Sequence, residues 1–122
     1  TSPFLNSEVY KKIILSYKES LGQGYDSLMT TSLIQSFVWN EEGPINYDRS
    51  VEKWPRTQTL PPLHEINSAA FLSSIDNYTN YKDRIGDKPK LYPLNKIEGM
   101  DIDWPFDFDI AECLLNAKLA SI

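Results

Sequence analysis

Thiol and imidazole side chains are almost absent from this sequence, which has one cysteine and one histidine among 122 residues. A single cysteine excludes a disulfide within the chain, and one Cys with one His cannot form a zinc cluster. Cys113 falls beside the apolar side of a predicted helix, so we expect a buried, inert thiol. His64 stands at no recognisable spacing from a nucleophile or a carboxylate, so we expect a loop histidine without a catalytic role.

Long apolar runs and clustered basic residues are also missing. No run approaches the roughly 20 apolar residues that cross a bilayer. The formal net charge of −5 argues against the Lys and Arg clusters that nucleic acid or an anionic membrane requires, so we expect neither as a partner. The sequence has no repeat and no Walker-type or dinucleotide-binding Gly-rich loop. The single thiol fits a reducing, cytoplasmic setting.

The residues that are present have the composition of an ordinary globular protein, and we assign residues 1–122 to a single domain. The opening residues Thr-Ser-Pro are typical of a strand end that turns into a loop. We therefore expect that the chain is truncated upstream of Thr1.

Apolar periodicity predicts a helix over residues 7–21, capped by Asn6 or Ser7 and ended by Gly22 and Gly24. A second helix is predicted from Pro105 to about Ala120, because proline is tolerated at the first helical position. Its predicted buried stripe consists of Phe108, Ala111, Leu114 and Leu115.

Strands are predicted at 25–34, 36–39, 69–73, 90–94 and 100–103, with one or two helical turns at 75–81. This order predicts an α/β domain whose helices pack on a mixed sheet. Residues 44–66 contain four prolines and are predicted to form an extended excursion, which is unusual in a compact domain unless the excursion binds something.

The sharpest local feature is Asp101-Ile102-Asp103 at the end of a predicted strand. Residues two apart on a strand point to the same side, so the two carboxylates would lie side by side and favour a cation between them. Oxygen ligands of this kind suit Mg²⁺. The alternative is two separate solvated aspartates, and the spacing alone favours that alternative slightly.

Three more residues are candidates for binding. Arg56 and Gln58 lie in the proline-rich excursion, where an Arg could bind carboxylate or phosphate. Asn67 precedes Ser68 in what could be no more than a turn. From spacing alone, exposed loop residues without a role are the favoured interpretation for all three.

These sequence segments occur in the order found in a known family. The segment from Asp101 to Glu112 resembles the closing motif of CMP-sialic acid synthetases, which runs Asp-Ile-Asp, a spacer, Asp, two residues, then Ala-Glu. Four further segments are similar to other segments of the same family and cover the whole chain in order: Thr1-Ser-Pro-Phe, Gly24-Tyr-Asp-Ser-Leu, Pro55-Arg-Thr-Gln and Asn67-Ser-Ala-Ala-Phe.

The resemblance implies the C-terminal half of a cytidylyltransferase, with a partial Rossmann-like sheet and flanking helices. It implies transfer of CMP from CTP to a 2-keto sugar acid such as N-acylneuraminate, with release of pyrophosphate. Asp101 and Asp103 would be catalytic and would hold Mg²⁺, while Arg56, Gln58 and Asn67 would bind the sugar acid. Residues 40–66 would reach across a homodimer.

Several positions depart from the family pattern. Ser68 stands where a Gly usually follows the Asn, Trp104 stands where Thr or Glu is common, and Glu65-Ile66 precedes the Asn where some members have Arg. The Gly-rich segment that binds CTP is absent from these residues. We therefore expect a fragment without turnover of its own and with weak Mg²⁺ binding. The alternative is a non-catalytic dimerisation or binding module.

Overall fold

The computed structural model describes all residues from 1 to 122 and is a mixed α/β domain. Two small sheets and three α-helices make up its regular structure, with a 3₁₀ turn at Thr57–Thr59. In chain order the elements are α1 (Ser7–Leu21), β1 (Ser27–Ile34), β2 (Trp39–Asn40), β3 (Gly43–Pro44), β4 (Leu63–Ser73), α2 (Ile75–Tyr81), β5 (Pro89–Leu94) and α3 (Pro105–Asn116).

The main sheet has three strands in the order β4-β1-β5. β1 pairs antiparallel with β4 and parallel with β5, so the sheet is mixed, as the order of predicted elements indicated. β1 is central and carries the buried residues Ser27, Leu28, Thr30 and Thr31. The sheet therefore places the end of β1 between β4 and the residues that follow β5.

Helix α1 has the predicted bounds and supplies two of the five residues of the buried core cluster. The Asn6 side chain accepts a hydrogen bond from the backbone N–H of Val9 at 3.1 Å and so caps the helix. Val9 and Ile13 are buried against Leu28 and Leu94, and Tyr17 packs at the edge of this cluster. Helical spacing of the apolar residues predicts a single stripe of Val9, Ile13, Ile14, Tyr17 and Leu21, but Ile14 and Leu21 are exposed.

The Asp26 side chain fixes the start of β1 to the loop before β5. Its carboxylate accepts hydrogen bonds from the backbone N–H groups of Asp87 and Lys88 at 2.8 and 2.9 Å and from the Ser27 hydroxyl at 2.9 Å. Partial desolvation opposes ionisation of Asp26, but these donors outweigh it and lower the pKa of the carboxyl. A Cβ on Gly86 would lie 2.5 Å from an Asp26 oxygen, so this close packing requires glycine.

Helix α3 begins at Pro105, as predicted, but ends at Asn116 rather than near Ala120. The Asp107 carboxylate accepts hydrogen bonds from the N–H groups of Asp103 at 3.1 Å and Trp104 at 2.9 Å, which satisfies the start of the helix. The predicted buried stripe was wrong for Phe108 and Leu115, which are exposed. Ala111 is the only buried residue of α3, because the helix packs little against the other elements.

The segment between β1 and β4 is partly more regular than predicted. The strand predicted at 36–39 overlaps the observed strand only at Trp39, because β2 consists of Trp39–Asn40, which pairs with Gly43–Pro44 across a turn. The side chain of the buried Asn46 donates to the Ser36 carbonyl at 2.7 Å and accepts from the Val38 N–H at 3.0 Å. β4 begins at Leu63, inside the predicted excursion, so the strand prediction started too late.

Candidate functional site

A polar cavity of about 460 Å³ lies where three segments of the chain meet. The end of β1 contributes Ser32 and the middle of β4 contributes residues 65–68. The segment between β5 and α3 contributes Gly99 and both predicted aspartates. The lining residues are Ser32, Glu65, Ile66, Asn67, Ser68, Gly99, Asp101 and Asp103. The cavity thus unites side chains that are far apart in sequence.

Asn67 forms the wall of the cavity on the sheet side and is only 9% exposed. Its Oδ1 accepts hydrogen bonds from the Thr30 hydroxyl at 2.8 Å and from the Ala69 N–H at 3.2 Å. Its Nδ2 donates to the Ser32 hydroxyl at 3.1 Å. Because a backbone N–H can only donate, the contact with Ala69 fixes which end of the amide is the oxygen. These contacts hold the amide in one orientation.

An irregularity in strand pairing brings Asn67 into this position. Met29 pairs with Phe71 and Thr31 pairs with Ile66, so the single residue Thr30 lies opposite four residues of β4. The Thr30 hydroxyl replaces the missing ladder contact by accepting from the Ala70 N–H at 2.9 Å. A bulge of this kind turns a side chain out of the regular alternation of the strand.

Ser68 occupies the left-handed region of backbone conformation, with φ of 56°. Glycine adopts this conformation without cost, whereas other residues lose roughly 1–2 kcal/mol. The backbone of Ser68 thus adopts the conformation that glycine favours. The serine side chain lines the cavity.

Gly99 closes the floor of the cavity. A Cβ at this position would lie 2.9 Å from the Ser32 hydroxyl oxygen and 3.0 Å from Asn67 Nδ2. A larger residue would have to displace the side chains that form the wall. Gly99 is therefore required by space.

Asp101 and Asp103 lie in an irregular segment, so the predicted strand at 100–103 was wrong. Both nevertheless line the same cavity. Asp101 accepts a hydrogen bond from the Thr1 amino group, and this bond raises the pKa of that amino group. The Ile102 N–H donates to the Thr1 carbonyl at 2.8 Å, which fixes the segment between the two aspartates.

Asp101 and Asp103 place two carboxylates on the lining of one cavity. No three His, Cys, Asp or Glu side chains are grouped closely enough to hold a metal ion by themselves. Mg²⁺ is commonly held by one or two carboxylates together with water and substrate phosphates, so a pair is sufficient for that ion. The chemistry of the donor set is therefore compatible with Mg²⁺ bound together with a phosphorylated ligand.

The structure does not bring Arg56 and Gln58 to this cavity. Both residues are exposed around the 3₁₀ turn. The main-chain carbonyl of Gln58 accepts a hydrogen bond from the Gln35 side chain at 3.3 Å, and that of Arg56 accepts from the Thr59 N–H at 2.9 Å. Of the five predicted site residues, the cavity thus contains Asp101, Asp103 and Asn67.

The single cysteine and the single histidine both differ from expectation. Cys113 is exposed on α3, so the prediction of a buried thiol was wrong. His64 belongs to β4 rather than to a loop, and its Nδ1 lies 2.8 Å from the Thr31 hydroxyl oxygen. Neither residue lines the polar cavity.

Sequence patterns alone did not identify Thr30, Ser32, Glu65 or Gly99 as part of the site. The available signal was the run of hydroxyl residues Thr30-Thr31-Ser32 on a predicted strand, in which Thr30 and Ser32 are two apart and hence on one face. Their partner could not be identified, because the bulge in β4 is a long-range feature.

No protein-family model and no curated protein matches the chain. None of the three α-helices has the length and apolar character required to span a membrane.

Proposed function

We propose that the chain is the metal- and sugar-binding part of a cytidylyltransferase that transfers CMP from CTP to a 2-keto sugar acid and releases pyrophosphate. The observation that carries the proposal is the meeting of Asp101, Asp103 and Asn67 in one cavity. The resemblance requires these three residues to act together, although Asn67 is separated from the aspartates by a helix and a strand. In the same proposal the three-stranded sheet is part of a larger Rossmann-like sheet.

In this function Asp101 and Asp103 would hold Mg²⁺. The ion would neutralise charge on the triphosphate and help to align the attacking hydroxyl. Asn67 would donate a hydrogen bond to the sugar from a fixed position, because Thr30, Ser32 and Ala69 hold its amide. A fixed donor orients a ligand at little entropic cost on binding. Arg56 and Gln58 lie outside the cavity and take part only if the excursion moves or a second subunit supplies them.

We also propose that residues 40–66 contribute to a homodimer. Trp39, directly before this segment, and Trp54, within it, are 53% and 71% exposed, and the Arg49 guanidinium lies 5.7 and 5.6 Å from their ring centroids. Exposed Trp and Arg side chains are the types that dominate binding at protein interfaces. Sedimentation equilibrium at tens of micromolar should give a dimer, and a monomer at that concentration counts against this part of the proposal.

Pyrophosphate release from CTP, Mg²⁺ and N-acetylneuraminate tests the activity. We expect no release above background from the 122-residue chain, because no lining residue of the cavity offers a cationic group for the developing phosphate charge. Where the gene encodes residues before Thr1, the product that includes them should release pyrophosphate. The double variant Asp101→Asn/Asp103→Asn should reduce that rate about a hundredfold or more.

The matched control is Asp76→Asn, which changes an exposed aspartate at the start of α2 and should leave the rate unchanged. If the longer product has no activity, or if the double variant keeps full activity, the enzymatic proposal is wrong. An inactive longer product that still dimerises would favour the second candidate, a non-catalytic binding module. The exposed Trp39 and Trp54 are the observation that favours that candidate.

A further inference from the structure

We infer that an apolar groove along α3 is an interface for a second copy of this chain, with the two α3 helices antiparallel. The groove has a volume of about 380 Å³. Its lining residues are Phe106, Ile110, Cys113, Leu114, Ala117 and Leu119, with Asp109 as the one charged residue. This contact is separate from the one proposed for residues 40–66 and does not depend on the proposed activity.

The chain exposes more surface than a folded protein of its mass normally does. Its accessible surface is 8643 Å², and only 14 of its 122 residues are buried. A folded monomer of 14.0 kDa exposes about 6,700 Å², so the excess is roughly 1,900 Å². A standard interface covers about 800 Å² of each partner. One such interface, as proposed for residues 40–66, therefore accounts for less than half of the excess.

Helix α3 contributes a concentrated part of this excess surface. Phe106 and Ile110 are exposed, and Ala111 is the only buried residue of the helix. Phe106, Ile110, Cys113 and Ala117 recur at intervals of four, three and four residues, which is the spacing of two helices that pack along their lengths. Cys113 and Ala117 are small, so a second helix can approach closely. The groove therefore fits a helix as its partner.

The charges of α3 favour a second copy in the antiparallel orientation. The helix contains Asp107, Asp109 and Glu112 but no Lys or Arg, and Lys118 follows its end. An antiparallel pair that is centred on the groove brings the acidic first turn of each helix beside Lys118 of the other copy, and it opposes the two helix dipoles. A parallel pair would bring acidic residues together. The same surface is thus complementary to itself, as a two-fold interface requires.

The length of α3 limits how strong this contact can be. A helix of 12 residues is about 18 Å long, so two of them bury less than a standard interface. We therefore expect association through α3 at hundreds of micromolar, above the concentration at which residues 40–66 should form dimers. If residues 40–66 form no contact, the α3 contact should still convert monomers to dimers at this higher concentration.

Cys113 provides a direct test, because it is exposed in the free chain and lines the groove. A short bis-maleimide joins two thiols that lie within its reach, and denaturing gel electrophoresis measures the covalent dimer. Phe106→Gln removes an exposed apolar ring from the groove and should lower the yield of covalent dimer about fivefold. Phe108→Gln is the matched control and should leave the yield unchanged. Phe108 is also exposed but lies on the opposite side of the helix.

A charge variant tests the antiparallel orientation. Lys118→Glu replaces the attraction to the acidic first turn by repulsion, so the yield should fall about threefold at low salt and less at high salt. Lys82→Glu is the control, because Lys82 is likewise exposed, has a left-handed backbone and lies just beyond a helix, α2. It should change the yield at neither salt concentration.

Equal yields from Phe106→Gln and Phe108→Gln would overturn the inference, since random collisions of exposed thiols give that result. A higher yield from Lys118→Glu would reject the antiparallel pair. Where a longer gene product exists, a Cys113 thiol that is protected there without being cross-linked would identify the residues before Thr1 as the occupant and would also overturn the inference. None of these results involves pyrophosphate release, so the proposed function is judged separately.

Discussion

Helices α1 and α3 have similar apolar patterns in the sequence and very different surroundings in the structure. α1 buries Val9 and Ile13 in the core formed with β1 and β5. α3 buries only Ala111 and exposes Phe106, Phe108 and Ile110. Apolar periodicity thus predicts that a segment forms a helix, but it does not predict what the helix packs against. Stability should therefore reside on the α1 side, where the sheet also positions the cavity.

The largest expected effect is the loss of the Ile13 side chain. Ile13 is fully buried, so Ile13→Ala should lower the free energy of unfolding by about 2–5 kcal/mol. Phe108→Ala on α3 removes a larger side chain, but one that is 59% exposed, and should cost less than about 1 kcal/mol. Urea unfolding of the two variants measures both values. Equal losses would show that α3 is as tightly packed as α1.

The next effect concerns the hydroxyl that holds the cavity wall. Thr30→Val removes the donor to Asn67 and the acceptor for the Ala70 N–H, so we expect a loss of about 1–3 kcal/mol. Thr79→Val is the matched control, because its exposed hydroxyl donates to the Ile75 carbonyl within α2 and should matter by about 0.5 kcal/mol or less. If the two variants unfold at the same urea concentration, the Thr30 contacts do not stabilise the bulge.

The position of Asn67 shows which part of the site could be predicted. A β-strand was predicted at 69–73, but β4 extends back to Leu63 through polar residues and past Ser68. Local propensity favours a turn at Asn-Ser, whereas pairing with β1 keeps the strand and absorbs the turn as a bulge. The start of α3 was predictable because proline at the first helical position is a local signal.

For Asp101 and Asp103, the predicted secondary structure and the predicted proximity have different outcomes. The local prediction of a strand at 100–103 was wrong, yet both carboxylates line one cavity. The tight packing of Gly99 against Ser32 and Asn67 and the contact of Ile102 with Thr1 bring them there. Such contacts join residues distant in sequence, so spacing along the chain could not reveal them.

A smaller, stabilising effect is expected at Ser68. Ser68→Gly relieves the left-handed backbone but gives the unfolded chain more freedom, so we expect a net gain of about 0.5 kcal/mol. Lys118→Gly is the control, because Lys118 also has a left-handed backbone, with φ of 57°, but lies just beyond α3 and away from the cavity. Thermal unfolding of both variants should show similar increases. A loss of stability in Ser68→Gly alone would mean that the serine side chain stabilises the cavity.

The smallest effect is a pH dependence at the start of β1. The pKa of Asp26 is lowered in the folded chain, so its contribution is complete above its ordinary value of 3.8 and is lost as the pH falls through the lowered folded pKa. The free energy of unfolding, measured with urea at several acidic pH values, should therefore fall less steeply with decreasing pH for Asp26→Asn than for the wild-type chain. Identical slopes would show that the contacts of Asp26 with the loop before β5 do not favour its ionised form.

In the proposed function Asp101 and Asp103 form a divalent-cation site beside Asn67, and Mn²⁺ tests this site directly. Mn²⁺ shares the preference of Mg²⁺ for oxygen ligands and broadens NMR signals of nearby nuclei. In the 122-residue chain, millimolar Mn²⁺, on the order expected for two carboxylates, should broaden the backbone amides of Asp101, Asp103 and Asn67 and spare those of α1. The variant Asp101→Asn/Asp103→Asn should abolish this broadening. Broadening that survives the double substitution, or that first appears at other carboxylates, would contradict the claim.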